Sequence, residues 1–420
     1  MTNRMTAQRD RGHSHRDRVV HSANARSARL SASMSGTNLV RAGDYNQRTV
    51  LQAIRLVGET SRVELATLTG LTAPTIANIT KRLTELGLIK LVGRRQGARG
   101  QPALRLSIDP DGAFAIGLNI DRDHISLALV DLAGRVRRLV GQEIAFALPE
   151  DVVAFARKRI TKLLTVEGVS RDKVLGVGVA MPDDLGRIPI PHRPAAYDAW
   201  NNIDVAAAVH EALPWPIHVD NDAAAAALGE AQQRPGQDAQ NFFYLLISAG
   251  LGGGPVIEGN YARGAALRSG EIGLMPDPSS ARPNAVVQDT VSLSALRARF
   301  EAAGKADDLA NLVSDDPSCR AIVDAWVHDA AQSLASPLVA VNCLINPAAI
   351  LIGGRLPLPL IARLAAALET ALDAFALPSR APILAALAAQ DGAVIGAAML
   401  PFLDHVLPSD AILIQAGRRD

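Results

Sequence analysis

The chain has little cysteine, no long uninterrupted apolar run and almost no net charge, and each shortage excludes something. Cys319 and Cys343 are the only cysteines in 420 residues. They do not form the closely spaced sets that zinc or a disulfide framework needs, so no metal is expected and both are read as buried, reduced core residues. The N-terminus has no apolar core of a signal peptide. The most apolar stretch, Leu334 to Ile352, is broken by Pro337, Asn342, Asn346 and Pro347. It reads as a helix followed by a short strand, not as a membrane span. A cytosolic protein is expected.

The net charge of +1 hides an asymmetry. Residues 1–43 carry eight Arg against two Asp, and residues 44–110 carry ten basic against five acidic residues. The remainder is therefore acidic by about as much as the head is basic. A basic head on an acidic body suits a chain whose head alone meets phosphate. With a hydrophobic share of 48%, the length supports two to three domains with sizeable cores.

What is present centres on Ser61 to Ile89. Ser61 followed by Glu64 makes a capping box for a first short helix, with Leu65, Ala66 and Leu68 on its apolar face. Gly70 suits the left-handed residue that ends it. Thr72 can cap a second helix, with Pro74 in its first turn. Ile76, Ile79, Leu83 and Leu86 recur at helical spacing and predict the buried stripe. Thr75, Asn78, Lys81, Arg82 and Glu85 lie off it. Two capped helices around a glycine turn form a helix-turn-helix whose second helix enters the major groove. The plainer alternative is a helical hairpin with a solvated face.

Asn46 to Val57 predicts a bracing helix. Leu91-Val92 and Leu104 to Leu106 predict two strands of a wing around a basic glycine-rich loop holding Arg94, Arg95, Arg99 and Gln101. Arginine on such a loop suits the narrow minor groove; otherwise the loop is a solvated hairpin tip. Residues 1–43 lack periodicity and read as a disordered basic tail. That tail either adds non-specific DNA affinity or is a dispensable extension ahead of a start at Met34.

From Phe114 the texture changes to strands alternating with helices, an α/β body. Strands are expected at FAIGLNI, ISLALVDL, a third after Gly134, KVLGVGVAMP, Pro216 to Asp220, Asn241 to Ile247 and Ala349 to Ile352. Helices are expected at Asp151 to Leu164, Ala223 to Gln232 and Cys319 to Leu344. The remainder reads as mostly helical to about Leu403.

The order of several segments resembles the ROK family (repressors, open reading frames and sugar kinases), and within it the transcriptional regulators. The segments are GTNLVRAGDYNQRTVLQAI from Gly36, ALVDLAG, GVGVAMP, GRIPIP, DNDAAAAALGE, SAGLGGG and RGAALRSGEIGLM, and the likeness spans residues 36–403. The resemblance implies a winged helix-turn-helix over 44–110. An actin-like (ribonuclease H-like) two-lobed ROK domain would follow over 111–406, with a sugar in its cleft. Asn221 and Asp222 match the family's pair for sugar hydroxyls, and Glu271 matches another sugar ligand.

The departures bear on function. The family's kinases have Asp-x-Gly-Gly-Thr after the first strand. This chain has Asn119-Ile120-Asp121-Arg122-Asp123-His124, which is expected to set two carboxylates where ATP phosphate would lie. Ala249 replaces the usual Thr of the second loop. Leu274 replaces the family's His, and the cysteine-rich zinc motif is absent. The expected function is a sequence-specific DNA-binding transcriptional regulator of the repressor type. Its partners would be operator DNA, a sugar or sugar derivative, and further copies of itself in a homodimer or tetramer; no enzyme activity and no cofactor are expected. The alternatives are a ROK-type sugar kinase with a fused DNA-binding head and a regulator whose body only dimerises or binds a partner protein.

Overall fold

The structure is a computed structural model that describes residues 39–94, 104–183, 185–187, 193–233, 240–265, 268–305 and 309–408. Within them the chain forms two compact units. One takes the chain up to Leu83, the stretch between Leu91 and Leu106, and the stretch from Val406. The other takes Thr84–Lys90 and Ser107–His405.

In the first unit, α1 (Leu39–Val57) buries Val50, Leu51 and Ile54. It begins at Leu39, not Asn46, inside the stretch expected to be disordered. Leu, Val, Arg and Ala are tolerated helix residues, and nothing from Leu39 to Ala42 breaks the run. The rest of the expected tail, residues 1–38, lies outside the described residues.

β1 (Thr60–Ser61) leads into α2 (Arg62–Thr69). The capping box forms in both directions: Glu64 N donates to Ser61 Oγ at 3.2 Å and Ser61 N donates to Glu64 Oε2 at 2.7 Å. Gly70 ends α2 at φ 68°. Thr75 N donates to Thr72 Oγ1 at 3.4 Å at the start of α3 (Ala73–Glu85), whose buried residues are Ile76, Thr80 and Leu83. Ile79 is half-buried beside them. Leu86 is 54% exposed, against expectation, because it falls past the helix end and helical spacing no longer aims it. Leu68 is exposed as well: the short α2 offers a single fully buried position, and Leu65 holds it.

β2 (Ile89–Arg94) and β3 (Leu104–Ile108) complete a three-stranded sheet in the order β1-β3-β2. The β1 pairing had no signal in the sequence; two residues are too few for a period. Arg95, Arg99 and Gln101 lie outside the described residues, and Arg94 is placed only as the last residue of β2.

The second unit contains two sheets built alike. The first holds β4 (Phe114–Ile120), β5 (His124–Asp131), β6 (Val136–Glu143), β7 (Val174–Met181) and β8 (Ile217–Asn221). Their order is β6-β5-β4-β7-β8, with β5 and β6 antiparallel on one side of β4 and β7 and β8 parallel on the other. α4 (Pro149–Glu167) and α5 (Val205–Ala212) belong to this lobe, and α6 (Asp222–Gln233) follows β8 directly.

The second sheet holds β9 (Phe242–Ile247), β10 (Leu251–Ile257), β11 (Asn260–Tyr261), then β12 and β13 after two helices. Those helices are α7 (Leu293–Ala302) and α8 (Pro317–Leu344). β12 (Ala349–Gly354), α9 (Leu358–Leu372), β13 (Ile383–Ala385) and α10 (Gly392–His405) complete the unit. The order β11-β10-β9-β12-β13 repeats the first sheet's pattern strand for strand, with β10 and β11 antiparallel and β12 and β13 parallel. This duplication is the actin-like two-lobed plan.

β13 falls in a stretch expected to be helical. It is a three-residue strand after Pro382, and it pairs with β12 through residues that no local pattern marks. Gly252, Gly253 and Gly254, read as part of a loop, lie within β10. Only Ser248-Ala249-Gly250 remains as the turn between β9 and β10.

Each lobe has its own apolar core. The first is centred on Ile116, Leu118, Leu127, Phe155 and Val179, and the second on Leu245, Trp326, Leu334, Ile350 and Leu364. An alanine-rich seam of α6 and α10 packs with β9 and β12. α10 can lie against the first sheet because Gly117 and Gly178 carry no side chain: a Cβ there would meet Val394 O at 1.9 Å and Ala397 O at 1.8 Å. Among the described residues, no helix is long and apolar enough to cross a membrane.

Candidate functional site

The duplication brings its two equivalent hairpin turns, Asp121–Asp123 and Ser248–Gly250, to one cleft. A cavity of about 360 Å³ opens there, lined by Arg122, Asn221, Asp222, Gly250, Arg268, Glu271 and Leu274 among others. The three expected sugar ligands, Asn221, Asp222 and Glu271, therefore share one cavity.

Asn221 ends β8 and Asp222 opens α6. Asn221 Oδ1 accepts from Ala223 N at 2.9 Å and Ala224 N at 3.1 Å. Asn221, not Asp222, therefore caps α6, and its free hydrogen-bonding group toward a ligand is the Nδ2 amide. Asp222 Oδ1 accepts from its neighbour Ala223 N at 2.8 Å. Burial raises the Asp222 carboxyl to about 7, and the charge of Asp121 adds to the effect. Near neutral pH Asp222 can both donate and accept, which suits a sugar hydroxyl.

Glu271 is held from the other lobe. Gly270 stands at φ 85°, where a Cβ would meet Gly253 O at 1.7 Å, so glycine alone permits the chain to enter the cavity here. Arg268 Nη2 donates to Glu271 Oε1 at 3.0 Å and so fixes its side chain. Tyr261 supports the same wall, its hydroxyl donating to Gly253 O at 2.8 Å. Arg263 pairs with Asp220, immediately ahead of Asn221, through both guanidinium nitrogens. Leu274 is 53% exposed on the cavity wall.

The first turn differs from expectation. Asp123 does not stand open toward a phosphate position. Its Oδ2 accepts from Arg297 Nη1 at 2.5 Å and Arg355 Nη1 at 2.7 Å, and its Oδ1 lies 2.9 Å from His124 Nδ1. Burial alone would push this carboxyl up; the His124 hydrogen bond and the two guanidiniums outweigh it and hold the carboxyl well below the usual carboxylate range. Asp121 is buried and accepts from Arg122 N at 2.7 Å. The group facing the second turn is Arg122, whose Nη1 is 2.6 Å from the point a Cβ on Gly250 would occupy. Arg122, Arg268, Tyr261 and Asp183 line the cavity without having been singled out from the sequence. The signal for Arg122 was its place between two aspartates in the altered turn.

Two groups among the described residues bring three potential metal ligands together: Asp121, Asp123 and His124, and His218, Asp404 and His405. In the first, Asp123 is already matched by two arginines, which leaves little negative charge for a cation. Cys319 is buried and its thiol donates to Asp316 Oδ2 at 3.2 Å, but Cys343 is exposed, against expectation. Cys343 follows buried Asn342 and is rotated about 100° off the packed face of α8. The two sulfurs sit roughly 36 Å apart along the helix by its rise, too far for one metal.

In the first unit, Asn78, Lys81 and Arg82 project from α3 as exposed residues, and Thr75 is half-buried with its hydroxyl 2.9 Å from that of Thr72. Arg62 Nε donates to Thr80 Oγ1 at 2.9 Å and ties α2 to α3. Arg105 pairs with Glu64 at 3.1 Å and thereby joins the wing strand to the capping box.

Comparison with known proteins agrees with both units. A winged helix-turn-helix DNA-binding family matches residues 44–90, and the ROK family matches residues 115–402. The chain is 29% identical over 367 residues to the uncharacterized protein y4fQ of Sinorhizobium fredii, covering 85% of this chain and 90% of that one. It is 27% identical over 231 residues to the xylose repressor of Bacillus spizizenii, covering 55% of this chain and 60% of the repressor. A crystal structure of a ROK family transcriptional regulator, a homolog of the Escherichia coli MLC protein, superposes with a TM-score of 0.61 at 23% identity, covering 88% of this chain and 98% of that one. The chain belongs to the ROK family and carries a winged helix-turn-helix at its head.

Proposed function

We propose that the protein is a DNA-binding transcriptional regulator of the repressor type whose ROK cavity takes a sugar or sugar derivative as its effector. The observation that carries this reading is the meeting of Asn221, Asp222 and Glu271 on one cavity, in a chain that also carries a helix-turn-helix. The xylose repressor among its relatives supports the same pairing of operator and sugar.

On this reading α3 lies in the major groove, with Thr75, Asn78, Lys81 and Arg82 toward base edges and phosphates. Arg94, Arg95, Arg99 and Gln101 of the wing serve the adjacent minor groove. A ligand bridging Asp222 on one lobe and Glu271 on the other favours one degree of lobe closure. It regulates only if the two closure states differ in operator affinity. Two heads in a homodimer or tetramer would read an inverted repeat, in the cytoplasm where operator DNA is found.

The test is binding of the purified protein to DNA upstream of its own gene, titrated with a panel of sugars and sugar derivatives. Release by one compound supports the reading, whereas binding that none alters removes the sugar from it. Arg82→Ala and Arg99→Ala should each weaken operator binding and lower the slope of log K against log salt by about one. A variant with unchanged affinity and slope has lost no DNA contact.

Asp222 favours a second reading, a sugar kinase, because a carboxyl raised to about 7 suits a general base. Against it, the chain has Asp121-Arg122-Asp123 where the family's kinases have a glycine-rich phosphate loop, and Arg122 occupies the space beside Gly250. We expect no sugar-dependent ATP turnover above background; measurable turnover would establish the kinase.

A further inference from the structure

The charges in and around the cavity are nearly all matched, and the exception is informative. Arg263 is paired with Asp220, Arg268 with Glu271, and Arg297 and Arg355 with Asp123. Arg122 has no ion pair and no side-chain hydrogen bond among the described residues, and its Nε is buried without a partner. Its guanidinium lies on the cavity wall against Gly250, where even a methyl group would collide with it.

A half-buried guanidinium loses hydration and is ordinarily compensated by a carboxylate or phosphate, whose two oxygens match its fork. Here no carboxylate forms an ion pair with it among the described residues, although Asp222 lies near enough to feel its charge. Of the neighbouring carboxylates, Asp121 accepts from a backbone amide, Asp123 faces two other arginines, and Asp222, raised by burial to about 7 against the pull of Arg122, is only partly ionised near neutral pH.

From this we infer that the effector is an acidic monosaccharide, a sugar acid or a sugar phosphate, whose anionic group docks on Arg122 while its hydroxyls meet Asn221, Asp222 and Glu271. The inference rests on the sugar-site reading and narrows it. The glycine at position 250 is part of the arrangement: it clears the space in which Arg122 lies. Leu274 adds an apolar patch to the same wall and offers no competing charge.

The test uses the full chain and matched ligand sets in the gluco, galacto, manno and xylo series: the neutral sugar, its carboxylate and its terminal phosphate ester. Inorganic phosphate is the ion control. Affinities come from calorimetry, and thermal midpoints report folding. In at least one series the acidic member should bind at least about ten-fold tighter than its neutral parent, the scale of a charged hydrogen bond. Arg122→Met should remove that advantage, and Arg122→Lys should restore part of it. Because Arg122 has no ion pair or side-chain hydrogen bond to lose among the described residues, both variants should remain folded, which the thermal midpoints check.

The two acidic arms tell a carboxylate ligand from a phosphate ester. A neutral sugar binding as tightly as its acids, or an acid advantage that survives Arg122→Met, overturns the inference and leaves the sugar reading standing. Phosphate ion matching the best ligand overturns the sugar component. If no member of any series binds, both the inference and the sugar reading fall.

Discussion

Asp222→Asn should make the protein more stable and unresponsive to its effector. The Asp222 carboxyl is raised from 3.8 to about 7, first by burial and then by the charge of Asp121. The folded state therefore holds this proton more tightly than the unfolded state does. Stability from this group is fully present below about pH 4 and is lost as pH rises through 7. Above that the ionised, buried carboxylate costs the fold about 4 kcal/mol, at about 1.36 kcal/mol for each tenfold change in proton affinity. Asparagine imitates the protonated acid, keeps the carbonyl that accepts from Ala223 N, and carries no charge. The gain in thermal midpoint should be several degrees at pH 8 and less than about half as large at pH 5. Melting curves of the two proteins at both pH values test this. Equal midpoints at pH 8 would mean that Asp222 is not strained in the fold.

The second half of the expectation concerns function. A buried acid that destabilises its own fold is the usual mark of a group kept for what it binds. The asparagine side chain cannot act as both strong acceptor and acid toward a sugar hydroxyl. Operator binding should survive in the variant, because α3 and the wing are untouched, while release by the effector found for the parent protein should disappear. A variant that still releases normally would take Asp222 out of the site.

Much of the fold was legible because its signals are local. The capping box of Ser61 and Glu64 and the left-handed Gly70 need only a few neighbouring residues, and all formed as the sequence predicts. The buried strands β4, β5, β7 and β9 showed as apolar runs for the same reason. β1 and β13 were missed because each is a few residues long and is defined by a distant partner. The site divides the same way. Asn221, Asp222 and Glu271 were found by likeness to a motif, but the use of Asn221 Oδ1 as the cap of α6 depends on a side-chain rotamer that no sequence pattern records. The altered first turn was read as two open carboxylates. Its actual chemistry lies in arginines 174 and 232 residues further on, beyond any local inference.

Those arginines give the other large expected effect. Asp123→Ala should destabilise the second unit by about 3–5 kcal/mol, the cost of leaving buried charge without its partner. The carboxylate belongs to the turn of the first lobe. Arg297 on α7 and Arg355 after β12 belong to the second lobe, and Arg355 Nη2 also donates to Glu143 Oε1 of β6 at 2.5 Å. One anion thus stitches the lobes together beside the cleft. Removing it takes the shared anion from both guanidiniums, although Arg355 keeps Glu143. Arg355→Met removes one cation and leaves Asp123 with Arg297 and His124, so its loss should be the smaller of the two. Denaturant unfolding of both variants and of the double variant measures the coupling. The double variant should be less destabilised than the sum of the singles, because the contact between Asp123 and Arg355 can be lost only once. Additive losses would mean that the two side chains do not act on each other. High salt should weaken this pair little, since the partners are mostly shielded from solvent, which separates it from an exposed surface pair. An ionic stitch at this position favours one spacing of the lobes, and an effector in the cleft alters the DNA-binding state only if it favours another.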